Sequence, residues 1–241
     1  MENSFMPGLL LSLLSVFTLI VIITGLRKVL NRLNWQSEKK QKTFFLIVVS
    51  LIVWMVVIGF LAASGAFNHF GLPPRPALVI LFPLPFVLVF AFSKSGLELL
   101  KATPPQWLIF IQTFRILVEI LLWLAFKRSL LPVQMTFEGR NFDVLTGILA
   151  IPVAYYCFIK KSWPRAIAVL WNFVGIALLL NILIIAVLSM PTPIRYFMNE
   201  PANTIVAQFP FIYLPGVLVV IAYSMHIFSL RQLFITKSLR A

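Results

Sequence analysis

Acidic residues, cysteine and histidine are all scarce in this chain: of 241 residues, seven are Asp or Glu, one is cysteine and two are histidine. A lone cysteine, Cys157, excludes a disulfide framework and any cysteine-ligated zinc or iron–sulfur centre. His69 and His226 lie too far apart in sequence to suggest a zinc or haem site. No metal and no cofactor is therefore expected. Charge of either sign is also rare, at 11% of residues against 61% hydrophobic, where a soluble domain carries about 25% charged residues. That balance excludes a water-soluble globule and implies a polytopic membrane protein.

Recognisable catalytic motifs are missing as well. The chain has no His-Glu-x-x-His, no Gly-x-Ser-x-Gly and no phosphate-binding Gly-x-x-x-x-Gly-Lys-Ser/Thr, which removes the readily identified hydrolases and nucleotide-binding proteins. Enzymatic activity stays open but disfavoured. No lysine lies within the last apolar run, so a retinal Schiff base is unsupported. The absence of an Asn-x-Ser/Thr sequon leans toward a bacterial inner (plasma) membrane.

What the chain does have is long apolar runs. A bilayer core about 30 Å thick needs about 17–25 apolar residues per helical crossing. Seven runs qualify, at 7–26, 43–63, 76–92, 106–126, 143–159, 166–190 and 204–228. The expectation is an all-α, seven-helix transmembrane bundle forming one domain over 1–241. Glu2 precedes the first run and no Lys or Arg does, so that run reads as a retained span rather than a cleaved signal peptide. Fourteen Lys and Arg fall in the connections on one side and five on the other. The positive-inside rule then places the N-terminus outside and the C-terminus in the cytoplasm. The net charge of +13 reads as topology plus attraction to anionic lipid head groups on the cytoplasmic side, with no nucleic acid as partner. Protein partners are not readable. Trp35, Trp107 and Trp163 sit at run boundaries as interfacial anchors, and the small residues from Gly59 to Ala66 suit close helix packing.

Two runs are interrupted. Pro83 and Pro85 remove amide donors from the third, and Pro215-Gly216, after Pro210, does the same near the centre of the seventh. Interrupted helices in matching halves point to a transport site; the plain alternative is that Pro and Gly are common in membrane helices.

The fourth run carries the most informative chemistry. Gln112, Arg115 and Glu119 point within an arc of about 60°, with Trp123 on the same side. Arg115 and Glu119 lie within about 5 Å of the middle of the run, too deep for snorkelling to a head group. A central Arg or acidic residue costs about 2.5–3.5 kcal/mol to insert, and an i,i+4 ion pair returns only about 0.3–0.5 kcal/mol. Other helices, water or a ligand must complete the site. Asn181 and Gln208 are the candidate partners from the sixth and seventh runs, and Asn172 projects away from Asn181. Tyr223 and His226 share a nominal face with Gln208, with His226 near the inner surface. The functional reading is a small polar or anionic solute held on Arg115, with Glu119 as proton acceptor; the alternative is a buried polar lock.

A second constellation is expected on the outer face, where Glu138, Arg140, Asp143 and Arg195 gather with Glu200 and Asn203. Residues 133–143 read as a short strand or re-entrant piece, with Asn141 or Asp143 capping the fifth helix. Three function classes follow: small-solute binding or transport in the lead, then a structural, assembly or sensory subunit, then an enzyme acting on a lipid or lipid-linked substrate.

Overall fold

A computed structural model describes residues 2–238, and within them the chain is helical with no strand. The helices are α1 (Glu2–Arg32), α2 (Ser37–Ala63), α3 (Arg75–Leu81), α4 (Leu84–Phe92), α5 (Lys94–Ala102), α6 (Pro105–Phe110), α7 (Phe114–Lys127), α8 (Val144–Ala154), α9 (Arg165–Leu188) and α10 (Val219–Ser238). Six helical stretches are long and apolar enough to cross a membrane: Met6–Arg32, Ser37–Ala63, Arg75–Phe92, Pro105–Lys127, Arg165–Leu188 and Leu214–Ile235. Val144–Ile159 is apolar but shorter. Helices prevail because a backbone in hydrocarbon must satisfy its own N–H and C=O groups. Consistent with such a setting, large apolar side chains face outward all round the bundle. Of the 27 residues of α2, only Ile58, Gly59 and Ala62 are buried.

The proline-bearing runs break where proline forbids the ordinary ladder. α3 and α4 are separated at Phe82-Pro83; the 3-10 turn at Ile111–Thr113, through which α6 passes into α7, contains no proline. The last crossing departs from expectation: it starts at Leu214 rather than 204, in a π turn over Leu214–Leu218 that leads into α10. Pro210 has no amide proton to donate and disfavours helical backbone at Phe209, and 204–212 is a 3-10 turn and irregular chain instead. The break opens a bonding site, since Trp54 Nε1 of α2 donates to the Gly216 carbonyl at 2.7 Å. Small residues let α2 seat here, because a Cβ on Gly59 would lie 2.5 Å from the Tyr213 hydroxyl.

Residues 128–143 form no strand; they hold a 3-10 turn at Val133–Met135 and then fold back between the helices. Asn141 reaches Glu119 of α7, so this segment returns almost to the middle of that helix. Irregular backbone at such depth is tolerated only inside protein. Here Arg140 N donates to the Gln134 carbonyl, Asn141 N to that of Thr136, and Asn141 Nδ2 to that of Met135. The turn also needs Gly139, where a Cβ would meet the Val133 carbonyl oxygen at 2.3 Å. The folded-back segment leads directly into the 16 residues of Val144–Ile159, about 24 Å of helix.

At the other end, α5 lies across the ends of α1, α4 and α10. Ser93 caps it, its Oγ accepting from Gly96 N at 2.9 Å. Leu99 and Leu100 are buried while Lys94 and Lys101 are exposed, the pattern of a helix lying in an interface. Most of the chain's Lys and Arg gather at this end, called the basic end below.

Candidate functional site

Seven polar side chains from five segments meet in the interior: Gln112, Arg115, Glu119, Asn141, Asp143, Asn172 and His226, each at most 6% exposed. Arg115 is the hub. Its Nε donates to Asp143 Oδ2 at 2.7 Å and its Nη2 to Asp143 Oδ1, a fork-to-fork pair of the kind that fixes both planes. Its Nη1 lies 2.9 Å from His226 Nε2. A guanidinium has no lone pair to offer, so Nε2 accepts. His226 Nδ1 then donates to Asn172 Oδ1 at 2.9 Å, and Asn172 Nδ2 donates to Ser229 Oγ and to the Ala168 carbonyl. The chain of bonds runs from α8 through α7 and α10 to α9 and fixes one imidazole tautomer.

Glu119 belongs to a second branch. Asn141 Nδ2 lies 2.7 Å from each of its carboxyl oxygens, and Asn141 Oδ1 accepts from the Asp143 amide at 3.1 Å. One cation therefore faces two carboxyl groups. Gln112 sits a turn away, its Nε2 donating to the Ala222 carbonyl at 2.9 Å while its Oε1 has no hydrogen-bond partner.

Two glycines make this closeness possible. A Cβ on Gly147 would stand 2.8 Å from Ile116 Cγ1 and 3.4 Å from Arg115 Cβ, and one on Gly175 2.5 Å from His226 Cε1. Without side chains there, α8 and α9 approach near enough for Asp143 and Asn172 to reach their partners.

The structure brings Gln112, Arg115 and Glu119 together with one another but not with Asn181 and Gln208. Asn181 donates to the Arg140 carbonyl at 2.9 Å, and Gln208 is exposed in the irregular segment before the last helix. Asp143 is not on the outer face: the re-entrant segment carries it to the level of Arg115. It occupies the N-cap of α8 without a side-chain capping bond, because its oxygens are taken by Arg115. His226 is central rather than near the inner surface, since its helix begins ten residues later than its hydropathy suggests. Scarcity was the signal that could have found the partner: Asp143 is the chain's single aspartate, and a buried Arg needs a carboxylate.

The remaining residues of the expected outer constellation form local pairs. Glu138 accepts from Trp123 Nε1 at 2.6 Å and from Lys127 Nζ at 3.1 Å, and these bonds hold its carboxyl below the usual carboxylate range. Arg195 bonds Glu200 at 2.9 Å and the carbonyls of Phe197 and Asn199; with the Ala202 amide it lowers the Glu200 carboxyl likewise. The Arg140 guanidinium lies 5.3 Å from the centre of the Phe197 ring.

Beside the buried cluster is a cavity of about 460 Å³. Its wall is apolar, from α3, α7, α9 and the π turn, except for Glu119 and Asp143. Leu81 of α3 and Leu180 and Ile184 of α9 contribute to that wall while being 55%, 53% and 58% exposed. The cavity thus opens sideways on the apolar outer surface, with two carboxyl groups inside. Arg115 does not line it. Among the described residues, no group of three His, Cys, Asp or Glu side chains could hold a metal ion.

Among known proteins, the chain is similar to Protein cwh43 of Schizosaccharomyces pombe (strain 972 / ATCC 24843), 24% identical over 156 residues that make up 54% of this chain and 16% of that protein. The chain thus spans about a sixth of that relative's length, and a eukaryotic relative does not support a bacterial inner membrane specifically. No solved structure matches. The profile of one family matches residues 75–234, a stretch that holds every residue of the buried cluster and the cavity. This multi-pass membrane protein belongs to the family described as Domain of unknown function (DUF8737).

Proposed function

We propose that the protein binds a membrane-resident amphiphile whose apolar part fills the cavity between α3 and α9 and whose polar group meets Glu119 and Asp143. The observation that carries this reading is the pairing of an apolar cavity of about 460 Å³, open to the apolar surface, with two carboxyl groups in its wall. A small polar solute would lose its hydration against so apolar a lining, whereas an acyl or alkyl chain is as well accommodated there as in the surrounding lipid, which leaves selection to the polar group. The polar group follows from the same geometry. Carboxyl oxygens accept hydrogen bonds, and Arg115, the site's one cation, is turned toward Asp143 and His226, so the ligand carries a hydroxyl or amine rather than an anion. This departs from the expected small solute on Arg115 and moves the lipid-directed class ahead of transport.

The proposal takes Val144–Ile159 together with the re-entrant segment as a seventh crossing and places the basic end in the cytoplasm, on the fourteen-to-five distribution of Lys and Arg and the positive-inside rule. The cavity then lies on the outer half of the bundle. One observation favours a second reading, a structural lock: three nitrogens of Arg115 are already engaged within the protein.

Thermal unfolding in detergent separates the two. Long-chain alcohols and amines are expected to raise the midpoint, a fatty acid of equal length to raise it less, and Leu183→Trp, which fills the cavity, to abolish the shift. Glu119→Gln should weaken the amine response most. Equal shifts for all head groups, persisting in Leu183→Trp, would leave the lock as the account.

A further inference from the structure

A second cavity, of about 650 Å³, lies on the other side of the bundle, walled by α1, α6, α7 and the basic-end parts of α4, α5 and α10. Phe17, Ile20 and Leu117 line it and are 62%, 56% and 49% exposed, so it is a groove along the apolar surface and not a sealed chamber. Its polarity is graded: the only charged residue in its wall is Lys28, at the basic end, beside Trp107. Arg32, one turn beyond Lys28, places its guanidinium carbon 5.3 Å from the centre of the Trp107 ring. Two cations thus flank one end of an apolar groove.

Neither cation forms an ion pair within 4.0 Å among the described residues: the pairs there are Arg115–Asp143, Lys127–Glu138 and Arg195–Glu200, none at this end. Glu98 of α5, the acidic residue at this end closest in sequence to the groove's Leu99 and Leu100, accepts from Trp35 Nε1. Lys39 sits over the Trp35 ring at 3.8 Å and adds to the positive field.

We infer that this groove is a binding site for an anionic phospholipid, with an acyl chain between α1 and α7 and its phosphate at Lys28 and Arg32. The site is separate from the cavity holding Glu119: the two share no lining residue, α7 turns a different face to each, and this one takes the opposite head-group charge and belongs to the basic end. A juxtamembrane cation adds about 1 kcal/mol of attraction to anionic lipid, which is about fivefold in occupancy for each. The guanidinium of Arg32 is positioned by its ring contact, so less freedom is lost when the phosphate arrives.

The test uses the full chain reconstituted in phosphatidylcholine vesicles with a minor share of phosphatidylglycerol, then extracted in mild detergent, with retained lipid measured by mass spectrometry. Phosphatidylglycerol is expected to be enriched over its share of the vesicle. The enrichment should fall about fivefold for each of Lys28→Gln and Arg32→Gln, both exposed positions whose replacement spares the core. Gly25→Phe provides the complementary variant: Gly25 lines the groove, and a Cβ there meets only Trp107 Cε3, at 4.0 Å, so the ring enters the groove without displacing a helix. It should remove the retained lipid with both cations intact. Retention of the two lipids in proportion to the vesicle, enrichment unchanged in the charge variants, or enrichment surviving in Gly25→Phe would each overturn the assignment.

Discussion

Arg115→Met will lose about 3–5 kcal/mol of stability, because it leaves Asp143 buried without its cation. Deprived of the guanidinium, Asp143 keeps only the Thr146 hydroxyl, at 3.5 Å, and His226 Nε2 loses its donor. The informative result is the double variant. Arg115→Met with Asp143→Leu removes both charges and fills the space with apolar groups, and replacing a buried ion pair in this way is often neutral or stabilising. The double variant should therefore recover most of what the single variant loses, giving a coupling well above the 0.5–3 kcal/mol range of ordinary neighbours. Reversible unfolding in mixed micelles measures all four corners of the cycle. Additive losses would mean that the pair is not energetically coupled. If the double variant is as stable as the parent yet no longer responds to long-chain amines, the ion pair serves ligand binding and not the fold.

Gly175→Leu is expected to have the next largest effect. A Cβ at this position stands 2.5 Å from His226 Cε1, 2.7 Å from Nε2 and 2.9 Å from Thr146 Cγ2, all inside contact distance, so the imidazole must move or α9 must withdraw. Overpacking of a tight core costs about 1–3 kcal/mol, and here the bonds to Arg115 and Asn172 go with it. Gly175→Ala is the milder version, with a direct spectroscopic readout. With His69→Gln, His226 is the only histidine left among the chain's two, and its ring nitrogens can be observed singly by nitrogen NMR. The parent should show a protonated Nδ1 and an accepting Nε2, and Gly175→Ala should shift both signals. An unshifted Nε2 resonance would place His226 away from Gly175 and break the link from α7 to α9.

Much of this arrangement is legible in the sequence, and the rest is hidden for specific reasons. Hydropathy finds the long apolar runs, because a bilayer imposes a minimum length that composition reveals directly. Helical periodicity puts Gln112, Arg115 and Glu119 on one face, which is a property of a single helix. Their partners are not local. Asp143 reads as an outer-face residue because it stands where an apolar run begins after a polar turn; a re-entrant piece is one of two readings of 133–143, but nothing in it announces that the turn carries Asp143 as deep as Arg115. His226 was displaced by the boundary of its own helix: ten residues of irregular chain counted as helix shift its depth by about 15 Å. Gly147 and Gly175 look like unremarkable glycines in apolar runs, since their importance lies in what stands opposite them. The eye falls instead on Gly59 to Ala66, where small residues cluster in sequence, and Gly59 does receive Tyr213.

The two carboxyl groups at an apolar wall form the centre of the account, and what fills the space in front of them decides between lipid and solute. A nitroxide attached through Leu183→Cys, in a Cys157→Ala background, would stand in the cavity wall. Its collision rates with oxygen, which concentrates in hydrocarbon, and with a water-soluble nickel chelate report which phase reaches it. Binding of a membrane amphiphile predicts frequent collisions with oxygen and few with the chelate, as at the outward-facing Val56 of α2. Chelate access comparable to that at the exposed Arg128, or protection from both reagents, would contradict a cavity continuous with the bilayer.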